Sequence, residues 1–200
     1  MVRFATELEF DGYPQLQRAL QELVRNKLTS VQRMAMTSDR IGNTDVLSQV
    51  LSSDIDKIRK TLEETSADDF YDSVEAIVQA KTLYLLGIRS AAAIAQFMSF
   101  YLNLILPNVR LISANSASEM FEQLLRIGPG DILISASFPR YSSRTAKATL
   151  YAKSRGAKTI ALTDSLSSPI ARHADYVLLA QSDMASFVRD VPSDRRQYTS

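Results

Sequence analysis

From Thr82 onward the chain alternates short apolar runs with stretches of helical rhythm, and this alternation restricts the fold more than any other feature. The runs Thr82–Leu86, Val109–Ser113, Ile132–Ala136, Thr159–Thr163 and Tyr176–Leu179 are bounded by Gly, Ser, Asp or Pro. A strand with one wet face alternates polar and apolar residues; a strand covered on both faces reads as continuously apolar. Between the runs, the spacing predicts helices over about 90–105, 116–126, 143–155 and 169–173. Ser116 with Glu119 forms a capping box, and Gly156 stands where a helix stop is expected. Five doubly buried strands separated by helices predict a doubly wound α/β domain on a parallel five-stranded sheet.

The residues before Thr82 read as helical and differ in charge. Gly12 to Met36 carries Arg18, Arg25, Lys27 and Arg33 against Glu22 alone, with Leu16, Leu20, Leu23 and Val24 on one helix face. Ser38 to Asn43 looks like a linker. A connector helix capped by Thr44 or Asp45 follows, with Leu47, Leu51, Ile55, Ile58 and Leu62 as its apolar face. Ser66 with Asp69 marks another capped start, and Phe70, Val74, Ile77 and Val78 are its expected buried stripe. Ile41 to Glu75 holds nine acids against three bases, whereas Ile132 to Thr163 holds six bases and no acid. The pattern is a basic head, an acidic connector and a second domain with one basic face.

Several functional classes fall away on composition. The formal net charge is +1, so no global field draws in nucleic acid or anionic lipid, and such binding would need a local patch. The absence of cysteine removes disulfides, thiolate metal sites and cysteine nucleophiles, and one histidine cannot build a multi-histidine metal site. No cofactor and no metal are expected. The first residues do not read as a signal peptide. Ser90 to Val109 is uncharged over 20 residues, but Gln96, Ser99 and Asn103 form a polar stripe and Pro107 ends the run, which suits a helix buried in a soluble core. A soluble, cytoplasmic protein is expected.

Chemistry in such a sheet gathers beyond the carboxyl ends of the strands. Two loops there are unusual. The first, Gly87-Ile88-Arg89-Ser90-Ala91-Ala92, has a glycine for a tight turn and a serine at a helix start; it lacks the endings of a nucleotide-binding loop, and taken alone an ordinary strand-to-helix turn explains it better. The second, Ser135 to Thr145, holds Ser135, Ser137, Ser142, Ser143 and Thr145, one tyrosine and two arginines before a helix. Many hydroxyl and N–H donors on one surface suit a phosphate, although Ser142 or Ser143 could simply cap a solvated helix.

Gly87-Ile-Arg-Ser90, Ile134-Ser-Ala-Ser-Phe-Pro-Arg-Tyr-Ser-Ser-Arg-Thr145, Ala152-Lys-Ser-Arg-Gly-Ala157, Ile160-Ala-Leu-Thr-Asp164 and Ser168-Pro-Ile-Ala-Arg-His-Ala-Asp175 together resemble a SIS (sugar isomerase) domain. The Ser-Phe-Pro-Arg-Tyr-Ser segment resembles RpiR-type transcription regulators more narrowly, and residues 2–16 resemble the end of that family's helix-turn-helix domain. The resemblance implies a DNA-binding regulator of carbohydrate metabolism whose SIS domain senses a sugar phosphate, not an enzyme. It implies Ser90, Ser135, Ser137, Ser142 and Thr145 as phosphosugar contacts, to which electrostatics adds Arg140. Arg89 and Ala91 depart from the family, where a small residue and a second serine are common. Arg3, Arg18, Arg25 and Lys27 are the basic residues available to DNA.

The expected organisation is a partial helix-turn-helix head (1–37), a linker and connector helix (38–66), the SIS domain (67–187) and a divergent polar tail (188–200). The late entry into the head and the polar tail lead us to expect a truncated or frame-altered member. The expected partners are a sugar phosphate, operator DNA and a second or further copies in a homodimer or homotetramer. The competing readings are a SIS-type sugar-phosphate isomerase and a degenerate regulator fragment without DNA binding. Isomerisation needs a positioned base. His173 reads better as a helix-end residue and the Asp68-Asp69 pair as a solvated helix start.

Overall fold

The computed structural model describes residues 46–113 and 116–182, most of them within one compact unit, Ser53–Ser182. The expected head and tail, including Arg3, Arg18, Arg25 and Lys27, lie outside the described residues, as do the expected caps Thr44 and Asp45. The elements run α1 (Val46–Glu64), α2 (Ala67–Gln79), β1 (Thr82–Gly87), α3 (Ser90–Leu102), β2 (Val109–Ile112), α4 (Ala117–Leu124), β3 (Asp131–Ala136), α5 (Ser143–Ser154), β4 (Lys158–Thr163), a 3-10 turn (Ala171–His173) and β5 (Tyr176–Leu179). All strand pairs are parallel, in the order β2-β1-β3-β4-β5. The predicted sheet is therefore observed. The expected last helix shrinks to a single 3-10 turn, because Pro169 leaves too few residues before β5 for more.

Double burial holds for the central strands, whose two sides are both apolar, while the edge strands β2 and β5 are only partly buried, since each has one neighbour. Leu83, Leu85, Ile132, Ile134 and Ile160 point to one layer, closed by Ala76 of α2 and Ala95 of α3. Tyr84, Leu86 and Leu133 point to the other, closed by Met120 and Leu124 of α4 and Ala148 and Ala152 of α5. Each fully buried leucine or isoleucine contributes about 1.5–3 kcal/mol. α3 and α5 meet the sheet through alanines, so their backbones lie close to it.

The helix ends follow the sequence signals. Ser66 accepts from Asp69 N–H and Ser116 from Glu119 N–H, which caps α2 and α4. α5 ends in a Schellman motif: Gly156 N–H bonds the Lys153 carbonyl, Ala157 N–H bonds the Ala152 carbonyl, and Gly156 holds φ at +83°.

Helix faces depart from expectation. In α2 the buried residues are Ser73 and Ala76, while Phe70, Val74 and Val78 are exposed. α3 buries Ala91 and Ala95 and turns Phe97, Phe100 and Tyr101 outward. Small residues win the inner positions because the sheet leaves little room beneath these helices, and close backbone approach outweighs side-chain size. Among the described residues, no helix is long and apolar enough to cross a membrane.

Side chains occupy backbone groups at both borders of the sheet. On β5, Asp69 Oδ2 accepts the Val177 N–H at 3.0 Å. Just past β2, the Gln123 amide accepts from Ser113 N–H and donates to the Ser113 carbonyl. Edge groups left open would invite pairing with another strand.

Candidate functional site

The strand order reverses between β1 and β3: α3 leaves β1 toward one border, and the chain returns to place β3 on the other side. In such sheets the crevice at the reversal receives ligands. Gly87 at the end of β1 pairs in register with Ala136 at the end of β3, so the two hydroxyl loops leave neighbouring strands about 4.8 Å apart.

The first loop is set by steric contact. A Cβ on Gly87 would lie 2.1 Å from the Ala91 carbonyl oxygen, so α3 sits directly on the strand end and only glycine fits. Arg89, the N-cap of α3, has φ 61° and ψ −124° and gives no side-chain cap. A non-glycine residue in this region stores strain on the order of 1–3 kcal/mol. Ser90 opens the helix and is exposed. With no capping side chain from Arg89, the helix start presents donors and the positive end of its dipole.

The second loop is set by hydrogen bonds. The Ser137 Oγ, on a residue only 3% exposed, accepts the Ser142 N–H at 3.3 Å, while its own N–H bonds the Leu162 carbonyl. Ser142 caps α5, accepting the Thr145 N–H at 3.4 Å, a slack bond. Tyr141 donates to Asp164 Oδ1 at 2.8 Å and ties the loop to the end of β4. Arg140 is exposed and, like Arg89, holds a positive φ, 65°. Thr145 is fully enclosed in the first turn of α5, and its Oγ1 has no hydrogen-bond partner. An unpaired buried hydroxyl costs about 1–3 kcal/mol.

Ser135 stands apart from the other expected contacts. It is fully buried and its Oγ lies 2.8 Å from Thr149 Oγ1. Thr149 spends its single proton on the Thr145 carbonyl at 3.0 Å, so Ser135 is the donor to Thr149. Ser135 thus fastens β3 to α5 beneath the loop rather than presenting a hydroxyl to a ligand. Strand parity aims Ser135 at the helix layer with Leu133, where Thr149 of α5 meets it.

A cavity of about 230 Å³ lies against the first loop on its β2 side. Arg89, Gln96, Ser113 and Ser116 are the polar side chains that line it. Neither Ser90 nor the second loop lines it. In sequence Gln96 shows only as part of a polar stripe and Ser116 only as a helix cap, and nothing local marks Ser113.

Among the described residues, two ionisable groups are displaced from their usual values. Burial raises the Tyr84 hydroxyl, with the Asp131 carboxylate adding to it and Arg110 opposing. Asp175 is pushed up by burial but brought below the ordinary carboxylate range by Lys153 at 2.8 Å and by Thr159, whose N–H and hydroxyl both donate to it. Neither group adjoins the two loops.

The family described as SIS domain matches residues 76–193. A crystal structure of the sugar isomerase domain of an RpiR transcription factor from Sphaerobacter thermophilus is 33% identical, covers 70% of this chain and 78% of its own, and superposes with a TM-score of 0.65. The Vibrio vulnificus NanR protein, solved with ManNAc-6P, shares the fold at 17% identity and a TM-score of 0.61, covering 90% of this chain and 62% of its own. Among curated proteins, uncharacterized HTH-type transcriptional regulators of Haemophilus influenzae and Clostridium perfringens are 25% and 22% identical over 90% and 89% of this chain. The chain spans 62% and 63% of their lengths, about three-fifths. With more than half of its residues matched and its sheet shared with these regulators, the chain belongs to the SIS-domain family.

Proposed function

We propose that this chain is a DNA-binding transcription regulator of carbohydrate metabolism whose SIS domain senses a sugar phosphate. The organisation we assign is a helix-turn-helix head at 1–37, a connector at 38–66 and a sensing domain at 67–187. The phosphate would sit against the second loop and the first turn of α5, taking donors from Ser137, Ser142 and Thr145, with Ser90 reaching in from α3 and Arg140 supplying charge. Ser135 is assigned a positioning role through Thr149.

The observation that carries this reading is the Thr145 hydroxyl: a fully buried donor without a partner, in the first turn of a helix whose dipole favours an anion. Because Thr145 is enclosed, a tetrahedral anion would satisfy it by displacing the loop that covers it. The names of the similar regulators, and the ManNAc-6P bound to NanR, support an effector of the same chemical class. Arg3, Arg18, Arg25 and Lys27 would contact operator DNA. A sensor must bind its effector more tightly in one arrangement than in the other, and operator affinity shifts by that difference alone.

The test is thermal unfolding with a panel of hexose and aminosugar phosphates against the unphosphorylated sugars. A rise in Tm with one or more phosphates, absent in Thr145→Val, is expected. No rise with any phosphate overturns the ligand site. Conversion of an aldose phosphate to its ketose without cofactor would move the chain to the isomerase reading. Operator binding, tested separately, should weaken steeply with added salt.

A further inference from the structure

The cavity on the β2 side of the first loop is lined by a single charged side chain, Arg89, and no carboxylate is among the described residues that line it. Among the described residues the guanidinium has neither an ion pair nor a hydrogen-bond partner. The Gln96 amide and the Ser113 hydroxyl are likewise unengaged, whereas Ser116 is committed to its cap. Three donors of different kinds thus line one small hollow, and only one of them is charged.

Arg89 stands there against the preference of its own backbone. Its φ of 61° with ψ of −124° is a conformation that glycine adopts freely, and glycine would remove strain on the order of 1–3 kcal/mol. Gly87, two residues earlier, shows what the junction uses where shape alone decides. An arginine retained at a glycine-like conformation points to a use for its charge.

We infer that this cavity takes a carboxylate of the effector, so that the molecule sensed is a phosphorylated sugar acid. The inference rests on the sugar-phosphate reading of the second loop and adds a second acid group to the ligand. The planar fork of Arg89 matches a carboxylate through two parallel N–H bonds, and Gln96 and Ser113 can bond the adjoining sugar hydroxyls. Pockets for whole small molecules span about 300–1,000 Å³. At about 230 Å³ this one suits one end of a ligand. The cavity lies toward β2 and the second loop follows β3, with β1 between them. Two strand spacings separate them, roughly 10 Å. An open six-carbon chain with an acid at one end and a phosphate ester at the other has about that reach. A second phosphate, bulkier and doubly charged, would meet one cation only.

Matched pairs test this on the full-length protein by titration calorimetry: the terminal phosphate esters of gluconate, galactonate and mannonate against those of sorbitol, galactitol and mannitol. At least one acid should bind about tenfold more tightly than its alcohol, and Arg89→Gln should bring that ratio close to one. Thr145→Val should weaken both members of a pair alike. Equal affinity within every pair overturns the inference and leaves the phosphate site standing. So does a preference for the acid that Arg89→Gln retains. Failure of every ester to bind overturns the phosphate site and the inference together. Fructose bisphosphate binding tightest, and through Arg89, overturns the carboxylate assignment. Should Arg89→Gln fail to fold, Arg89→Gly removes the charge and the strain together and reads the same ratio.

Discussion

The two junctions at the strand reversal solve one problem by different means. After β1, the chain turns into α3 through shape: a glycine with no room for a methyl group and an arginine held at positive φ, with no side-chain cap. After β3, it turns into α5 through hydroxyls: Ser135 to Thr149, Ser142 N–H to Ser137, Thr145 N–H to Ser142, and Tyr141 to Asp164. Steric junctions tolerate no added atom but need few polar partners. Hydroxyl junctions tolerate small changes of shape, and their donors can be redirected to a ligand.

The largest effect that would break this contrast is at Gly87. Gly87→Ala should lower stability by about 3 kcal/mol or more, because its methyl must displace the first turn of α3; urea unfolding measures it, and a loss below 1 kcal/mol would show the junction to be soft. Ser135→Ala should cost about 1–2 kcal/mol, and a double-mutant cycle with Thr149→Val should return a coupling close to the single loss. Thr145→Val should act in opposite directions in the two states. Removing an unpaired buried hydroxyl should stabilise the free protein by about 1 kcal/mol while abolishing the phosphate-induced rise in Tm. Arg89→Gly should stabilise by about 1 kcal/mol or less, as relieved strain is partly offset by unfolded-chain entropy.

The smallest effect lies at the far end of α5, where Lys153 meets Asp175. A carboxyl whose folded value is depressed contributes stability above its unfolded value and loses it as pH falls through the folded one. Stability should therefore decline on acidification below the ordinary carboxylate range, and Lys153→Met should flatten that acid limb in a pH series of urea midpoints.

The sheet was legible because double burial writes a plain signal into its central strands: Leu83-Tyr84-Leu85-Leu86 leaves no polar position to be misread, whereas the edge strands β2 and β5 are only partly buried. Helix caps were legible for a similar reason, since Ser66, Ser116 and Gly156 each act within five residues. Helix faces were not. Phe70 and Phe97 look like core residues by hydrophobicity, but the narrow space above the sheet admits alanine and serine instead. In the candidate site, the sequence placed the two loops after neighbouring strands but could not separate Ser135 from Ser137. Their difference depends on a helix 14 residues away, through Thr149. The strain at Arg89 was also invisible, because an arginine carries no mark of positive φ.

The carboxylate of Asp69 on the Val177 amide, with the Gln123 amide on Ser113 at the opposite rim, bears on how this protein behaves at high concentration. An incoming chain that sought to template itself on either rim would first have to evict a resident side chain from these amides, and at the β5 rim it would strip water from a charged one. Among the described residues, these two contacts disfavour the addition of a strand at Val177 and at Ser113.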